Sequence, residues 1–117
     1  MEKRGAKYHR GRLGEALREE IETIVEGELG DPRIGLVNVS RVELAEDSRS
    51  ARIMVVVENE NDADRTMEGL SAAVGYIRHE VADRLHLRRA PELVFVLDRS
   101  EKYQSRVDEL LKRTRKK

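Results

Sequence analysis

Six side chains able to carry a positive charge crowd positions 78 to 89: Arg78, His79, Arg84, His86, Arg88 and Arg89. Guanidinium groups are planar, permanently charged donor forks, and the chemistry they suit is recognition of phosphate oxygens. Further cations gather at both ends of the chain. Arg10 and Arg12 follow Lys3, Arg4 and Lys7 at the start, and Lys112, Arg113, Arg115, Lys116 and Lys117 fill the closing KRTRKK. Other chemistries find little support. His9, His79 and His86 sit apart and in no His-Glu-x-x-His spacing, so they read as surface histidines and not as metal ligands or acid–base groups. Asp62 and Asp64 suit the N-cap and first turn of a helix better than a catalytic carboxylate pair. No phosphate-cradling Gly-x-x-x-x-Gly-Lys loop and no Gly-x-Ser-x-Gly elbow is present, and the absence of cysteine excludes disulfides and thiolate metal sites. The expectation is a binding protein, not an enzyme, with no metal and no cofactor.

Charge is placed, not merely abundant. Charged residues are 39% of the 117, against a usual ~25%, yet the net charge is zero. Residues 1–14 carry +4 and 100–117 carry +4, whereas 15–30 carry −5 and 58–70 carry −4. Such segregation implies one surface that attracts phosphate and another that repels it; basic ends that serve only solubility account for the same numbers. The opening MEKRGAKYHRGRLG has no apolar h-region, and no apolar run approaches ~18 residues. A cytoplasmic protein without a membrane segment is expected, consistent with the lack of cysteine.

The elements that must hold these cations can be read from periodicity. Residues 1–11 lack it and read as a flexible basic arm. From Arg12 to Leu29 the set Leu13, Ala16, Leu17, Ile21, Ile24, Val25 and Leu29 forms one helical stripe. Gly30 and Asp31-Pro32 stop it. Leu36–Leu44 and Ala51–Glu58 are strands joined by the polar AEDSRS turn. Val37 and Val39 fall on one parity and Val42 and Leu44 on the other, which predicts a bulge near Ser40-Arg41. Asn61 or Asp62 is the expected N-cap of a helix carrying Met67, Leu70, Ala73 and Val74. Val74, Ile77, Val81 and Leu85 continue the helical spacing past Gly75, so a kink or a close backbone approach is expected at Ala73-Val74-Gly75. Pro91 is expected to close that helix. Glu92–Leu97 is a strand with Phe95 in the core, residues 100–111 form a short helix through Tyr103, Val107, Leu110 and Leu111, and 112–117 are a basic tail. Tyr8, Tyr76 and Tyr103 are too few for a base-stacking platform. The order helix, strand, strand, kinked helix pair, strand, helix is that of an α+β domain.

Four segments in this order resemble the bacterial ribosome-binding factor A family: Asp31-Pro32-Arg33-Ile34-Gly35, Ala73-Val74-Gly75-Tyr76-Ile77-Arg78, Leu87-Arg88-Arg89-Ala90-Pro91-Glu92-Leu93, and Asp98 to Ser100. The resemblance covers residues 10 to 112. Tyr103-Gln104 departs from it, standing where a small residue such as glycine is expected. The resemblance implies a type II KH-like domain over 12–99 in which an interrupted Ala-x-Gly helix join replaces the usual Gly-x-x-Gly loop. It also implies a small-subunit assembly factor: a cytosolic, monomeric protein without a cofactor. Such a factor binds free or immature 30S subunits and 16S rRNA, assists late rRNA maturation and processing, and meets ribosomal proteins or other assembly factors.

On this reading the RNA-contact candidates are Arg10, Arg12, Arg78, Arg84, Arg88, Arg89, Lys112, Arg113, Arg115, Lys116 and Lys117. For Arg84, a solvated helix face with Glu80 and Asp83 as partners explains the residue equally well. For Arg88 and Arg89, stabilisation of a helix C-terminus competes with phosphate contact. A protein-interaction module using the acidic surface, or a KH-like domain for another RNA, are the alternative functions.

Overall fold

The computed structural model describes residues 10–99 and 110–112. The arm before Arg10, most of the C-terminal helix and the tail from Arg113 lie outside the described residues; Leu110–Lys112 are helical and exposed.

Helix α1 spans Arg10–Gly27 and buries Leu17, Ile21 and Ile24 completely, the centre of the stripe read from the sequence. It begins two residues before that stripe. Strands β1 (Val37–Leu44) and β2 (Ser50–Val57) pair antiparallel. A 3₁₀ turn at Glu60–Asp62 leads into α2 (Ala63–Ala72), followed by α3 (Val74–Arg84) and strand β3 (Glu92–Leu97), which lies parallel to β2. The sheet order is β1-β2-β3, with β2 central. A parallel neighbour cannot be reached by a tight turn, so the α2–α3 pair is the crossover that carries the chain back to the start of β3.

The bulge is where parity demanded it. Val37 faces Val57 and Val39 faces Val55, and the register then slips so that Arg41 faces Met54 and Val42 faces Ile53. Ser40 is the extra residue. The slip returns Leu44 to the buried side alongside Val37 and Val39. In β2, Ala51, Ile53, Val55 and Val57 are all buried against the helices, and Ile77, Val81 and Leu70 meet them from α3 and α2. Each such fully enclosed side chain stabilises by ~1.5–3 kcal/mol, so truncating Ile77 to alanine would remove ~2–5 kcal/mol. Phe95 is only partly buried, packed at the margin of this core.

One local expectation is corrected and two are made more specific. First, α3 ends at Arg84, six residues before Ala90. Leu87 N–H donates to Ala82 O at 2.8 Å, His86 N–H to Asp83 O at 3.3 Å, and His86 takes φ 57°. This is a Schellman stop with histidine in the left-handed position that glycine usually fills, and it ends the helix well ahead of Pro91. Second, of the two alternatives for the Ala73-Val74-Gly75 join the kink holds: the break between α2 and α3 falls on Ala73 (φ −89°, ψ −1°), and a Cβ on Gly75 would meet nothing within 4 Å. The join is a kink without close approach. Third, Asp62 holds the N-cap position of α2 without a side-chain bond; the capping amide is Asn59, whose Oδ1 accepts from Asn61 N–H at 3.0 Å and so serves the preceding 3₁₀ turn.

Candidate nucleic-acid interface

The helix join decides what kind of site this domain can have. Ala73 N–H donates to Gly69 O at 3.0 Å and to Leu70 O at 3.1 Å, and Ile77 N–H donates back to Ala73 O at 2.9 Å. The ladder passes through a single residue, leaving no loop between the helices to clamp a nucleic-acid backbone. Recognition must come from side chains elsewhere on the surface.

The candidate arginines divide into two groups. Arg78 and Arg84 are committed inside the protein. Arg78 Nε donates to Pro91 O at 2.9 Å and Nη2 donates to Ala90 O at 2.8 Å, so its half-buried fork holds the α3–β3 loop against the helix. Arg84 bridges α3 to α1. Its Nη1 lies 3.1 Å from Glu28 Oε2 and 3.6 Å from Glu20 Oε1, while Nε lies 3.3 Å from Glu80 Oε1. The hydrogen bond from Arg84 holds the Glu28 carboxyl below its usual range, and the same bond raises the Arg84 guanidinium further.

Arg88 and Arg89 are different. With α3 ending at Arg84 they lie in the loop from Leu85 to Pro91, outside the last turn of the helix to which dipole stabilisation is confined. Both are exposed, as is Arg12 on α1, and among the described residues none of these three makes an ion pair. Arg10 opens α1 and Lys112 is exposed; Arg113, Arg115, Lys116 and Lys117 lie outside the described residues. Sequence reasoning passed over one further cation. Arg49, in the β1–β2 turn, lines the same cleft as Arg78 and Arg89 although 40 positions separate it from Arg89. An arginine in a polar turn gives no signal of such company.

Helix α1 and the turn that follows it, in contrast, are acidic, and part of that charge is used structurally: Glu20 and Glu28 meet Arg84, and Glu26 Oε2 accepts from Val39 N–H at 2.9 Å, satisfying an amide of β1 beside the bulge. Among the described residues no cluster of three or more histidines or carboxylates is disposed to hold a metal, and no helix is long and apolar enough to cross a membrane.

A three-stranded α+β sheet with one parallel and one antiparallel pair, the helices in the order described and a single-residue break between α2 and α3, is a type II KH-like domain without the Gly-x-x-Gly loop. A sequence model described as ribosome-binding factor A matches residues 9–111. The ribosome-binding factor A of Koribacter versatilis is 62% identical over 118 aligned positions, covering 100% of this chain and 96% of that protein. The crystal structure of ribosome-binding factor A from Thermus thermophilus superposes with a TM-score of 0.59 at 31% identity, covering 77% of this chain and 91% of the other. A homology model of the Thermus thermophilus factor, fitted into a cryo-electron-microscopy map of a complex of that factor with the 30S subunit, gives a TM-score of 0.57 at 30% identity, with coverage of 77% and 91%. The chain belongs to the ribosome-binding factor A family.

Proposed function

We propose that this protein binds the free or immature 30S ribosomal subunit in the cytoplasm, contacts 16S rRNA, assists late rRNA maturation and leaves before translation. The observation that carries this reading is the shared fold, at 30% identity, with a family member placed in a 30S complex. The surface chemistry is compatible: Arg12, Arg88 and Arg89 are exposed and uncommitted, whereas Arg78 and Arg84 act within the fold. The role is that of a monomeric holder of RNA, not a catalyst. Phosphate contacts stabilise one arrangement of the rRNA, and the population shifts toward it by the difference in affinity.

Co-sedimentation with purified small subunits, large subunits and joined ribosomes across a salt series tests this. The expected result is association with free small subunits that weakens steeply with salt. Equal association with all three particles, or none with small subunits at low salt, overturns it.

A further inference from the structure

Beside the β1–β2 turn lies a cleft of about 600 Å³, bounded on the other side by the loop from Leu85 to Pro91. Its volume falls in the ~300–1,000 Å³ range of clefts that accept a small ligand. Arg49, Arg78 and Arg89 line it, against one carboxylate, Glu92. We propose that this cleft seats a backbone phosphate of a single RNA strand, gripped by Arg49 and Arg89 and faced by the fixed guanidinium of Arg78. The proposal rests on the RNA-binding reading above and locates one of its contact points.

Both walls are built, not loose. In the turn, Ser48 N–H donates to Ala45 O at 2.9 Å, Arg49 N–H to Asp47 Oδ1 at 3.0 Å and Ala45 N–H to Ser50 O at 2.9 Å. Ser48 is held at φ 61°, a conformation a residue with a Cβ keeps only where its surroundings impose it. The turn is pinned to the opposite wall, because Glu92 N–H donates to Arg49 O at 2.9 Å. The loop wall is fixed by Arg78 through the Ala90 and Pro91 carbonyls. Against this rigid frame, Arg49 and Arg89 are exposed, and among the described residues neither side chain has an ion-pair partner. Two free forks beside a third, immobile charge form a site with more positive charge than its own carboxylate can neutralise.

A recessed cleft admits a strand that can bend its backbone inward, which a duplex does not readily do. No aromatic side chain lines it. Bases therefore meet no aromatic platform, only guanidinium planes that accept any base, and binding through this site is expected to be indifferent to sequence.

The test compares Arg49→Gln/Arg89→Gln with a charge-matched control, Arg18→Gln/Arg65→Gln, in the full chain, using small subunits and a short oligouridylate across a salt series. The expected result is that only the first pair flattens the log-log salt dependence for the oligouridylate, by about 1.4 for two single-strand contacts at ~0.7 each, with thermal unfolding unchanged. The same flattening in the control pair, or none in the first pair while small subunits still bind, overturns the cleft and leaves the function standing. Wild-type protein that binds neither small subunits nor oligouridylate overturns both. Adenosine monophosphate that displaces the strand at equal phosphate concentration overturns the strand assignment in favour of a free nucleotide.

Discussion

A Cβ on Gly69 would stand 2.6 Å from Cγ1 of Ile34, closer than two carbons can approach. The loop after α1 is laid directly on α2 at this point. Gly35 N–H donates to Thr66 Oγ1 at 3.1 Å one turn earlier on the same helix, and Thr66 is fully buried. Gly69→Ala therefore sets an overpacking cost of ~1–3 kcal/mol against a gain of up to ~1 kcal/mol in helix propensity, and a net loss of about 1 kcal/mol is expected. Gly75→Ala meets open space in a neighbouring helix and keeps only the gain, so it should stabilise by about 0.5–1 kcal/mol. Urea unfolding of the two variants checks the opposite signs.

Arg78 is expected to act on stability first. Lysine keeps the charge but cannot reach both the Ala90 and Pro91 carbonyls with a planar fork. Arg78→Lys should cost about 1.5–3 kcal/mol, the range for hydrogen bonds that involve a charged group. The change should appear in thermal unfolding, and hydrogen exchange should quicken in the loop ahead of β3. An unaltered unfolding curve would mean that water replaces the arginine at no cost.

Acid should loosen the loop between α1 and β1. Arg33 Nη2 lies 2.7 Å from Asp31 Oδ2 and Arg33 N–H donates to Asp31 Oδ1 at 2.9 Å, and these bonds lower the Asp31 carboxyl from 3.8 to about 2. Because the folded carboxyl is the stronger acid, its contribution to stability is complete above pH 3.8 and disappears as pH falls through about 2. The pair is partly exposed, so salt should shrink the effect. Melting temperatures of wild type and Asp31→Asn are expected to differ at about pH 6 and to converge only as pH falls below about 2.

His86 occupies the left-handed position that stops α3. Glycine reaches that conformation without a Cβ penalty, so His86→Gly should stabilise the protein by about 0.5–1 kcal/mol, measured by denaturant midpoint at constant m. The same residue shows why the end of α3 was not legible. Its sequence signals are a histidine and an apolar Leu87, neither of which marks a stop, while Pro91 further on marks one plainly. The bulge was legible because period-two burial forces every side chain to declare a face, and Val37, Val39, Val42 and Leu44 could share one only by a slip. The α1 stripe was legible for the same reason at period 3.6. The commitments of the arginines were not: Arg84 and Glu28 are 56 positions apart and Arg78 meets backbone carbonyls, which carry no sequence signature. Arg49 joined the cleft only through the parallel pairing of β2 with β3, which aligns Ser50 with Glu92.

The bulge residue itself ties the edge strand to the far side of the sheet. Ser40 Oγ lies 2.7 Å from Asp98 Oδ2 and 3.2 Å from Met54 O, so a side chain displaced from the regular ladder reaches across β2 to the residue that follows β3. Asp98 is buried, and its N–H donates to Val55 O at 2.7 Å, which fixes where its carboxyl can stand. Removing the hydroxyl deletes one charge-assisted hydrogen bond to a buried carboxylate, and Ser40→Ala should cost about 1–2 kcal/mol. A smaller penalty for the same change in an Asp98→Ala background would show that the two side chains act as one unit, with a coupling energy of about 1 kcal/mol in the double-mutant cycle. Strict additivity would instead place the stabilisation in the Met54 carbonyl bond. In that case the bulge serves to restore the buried face of β1, and its contact with the end of β3 contributes nothing measurable.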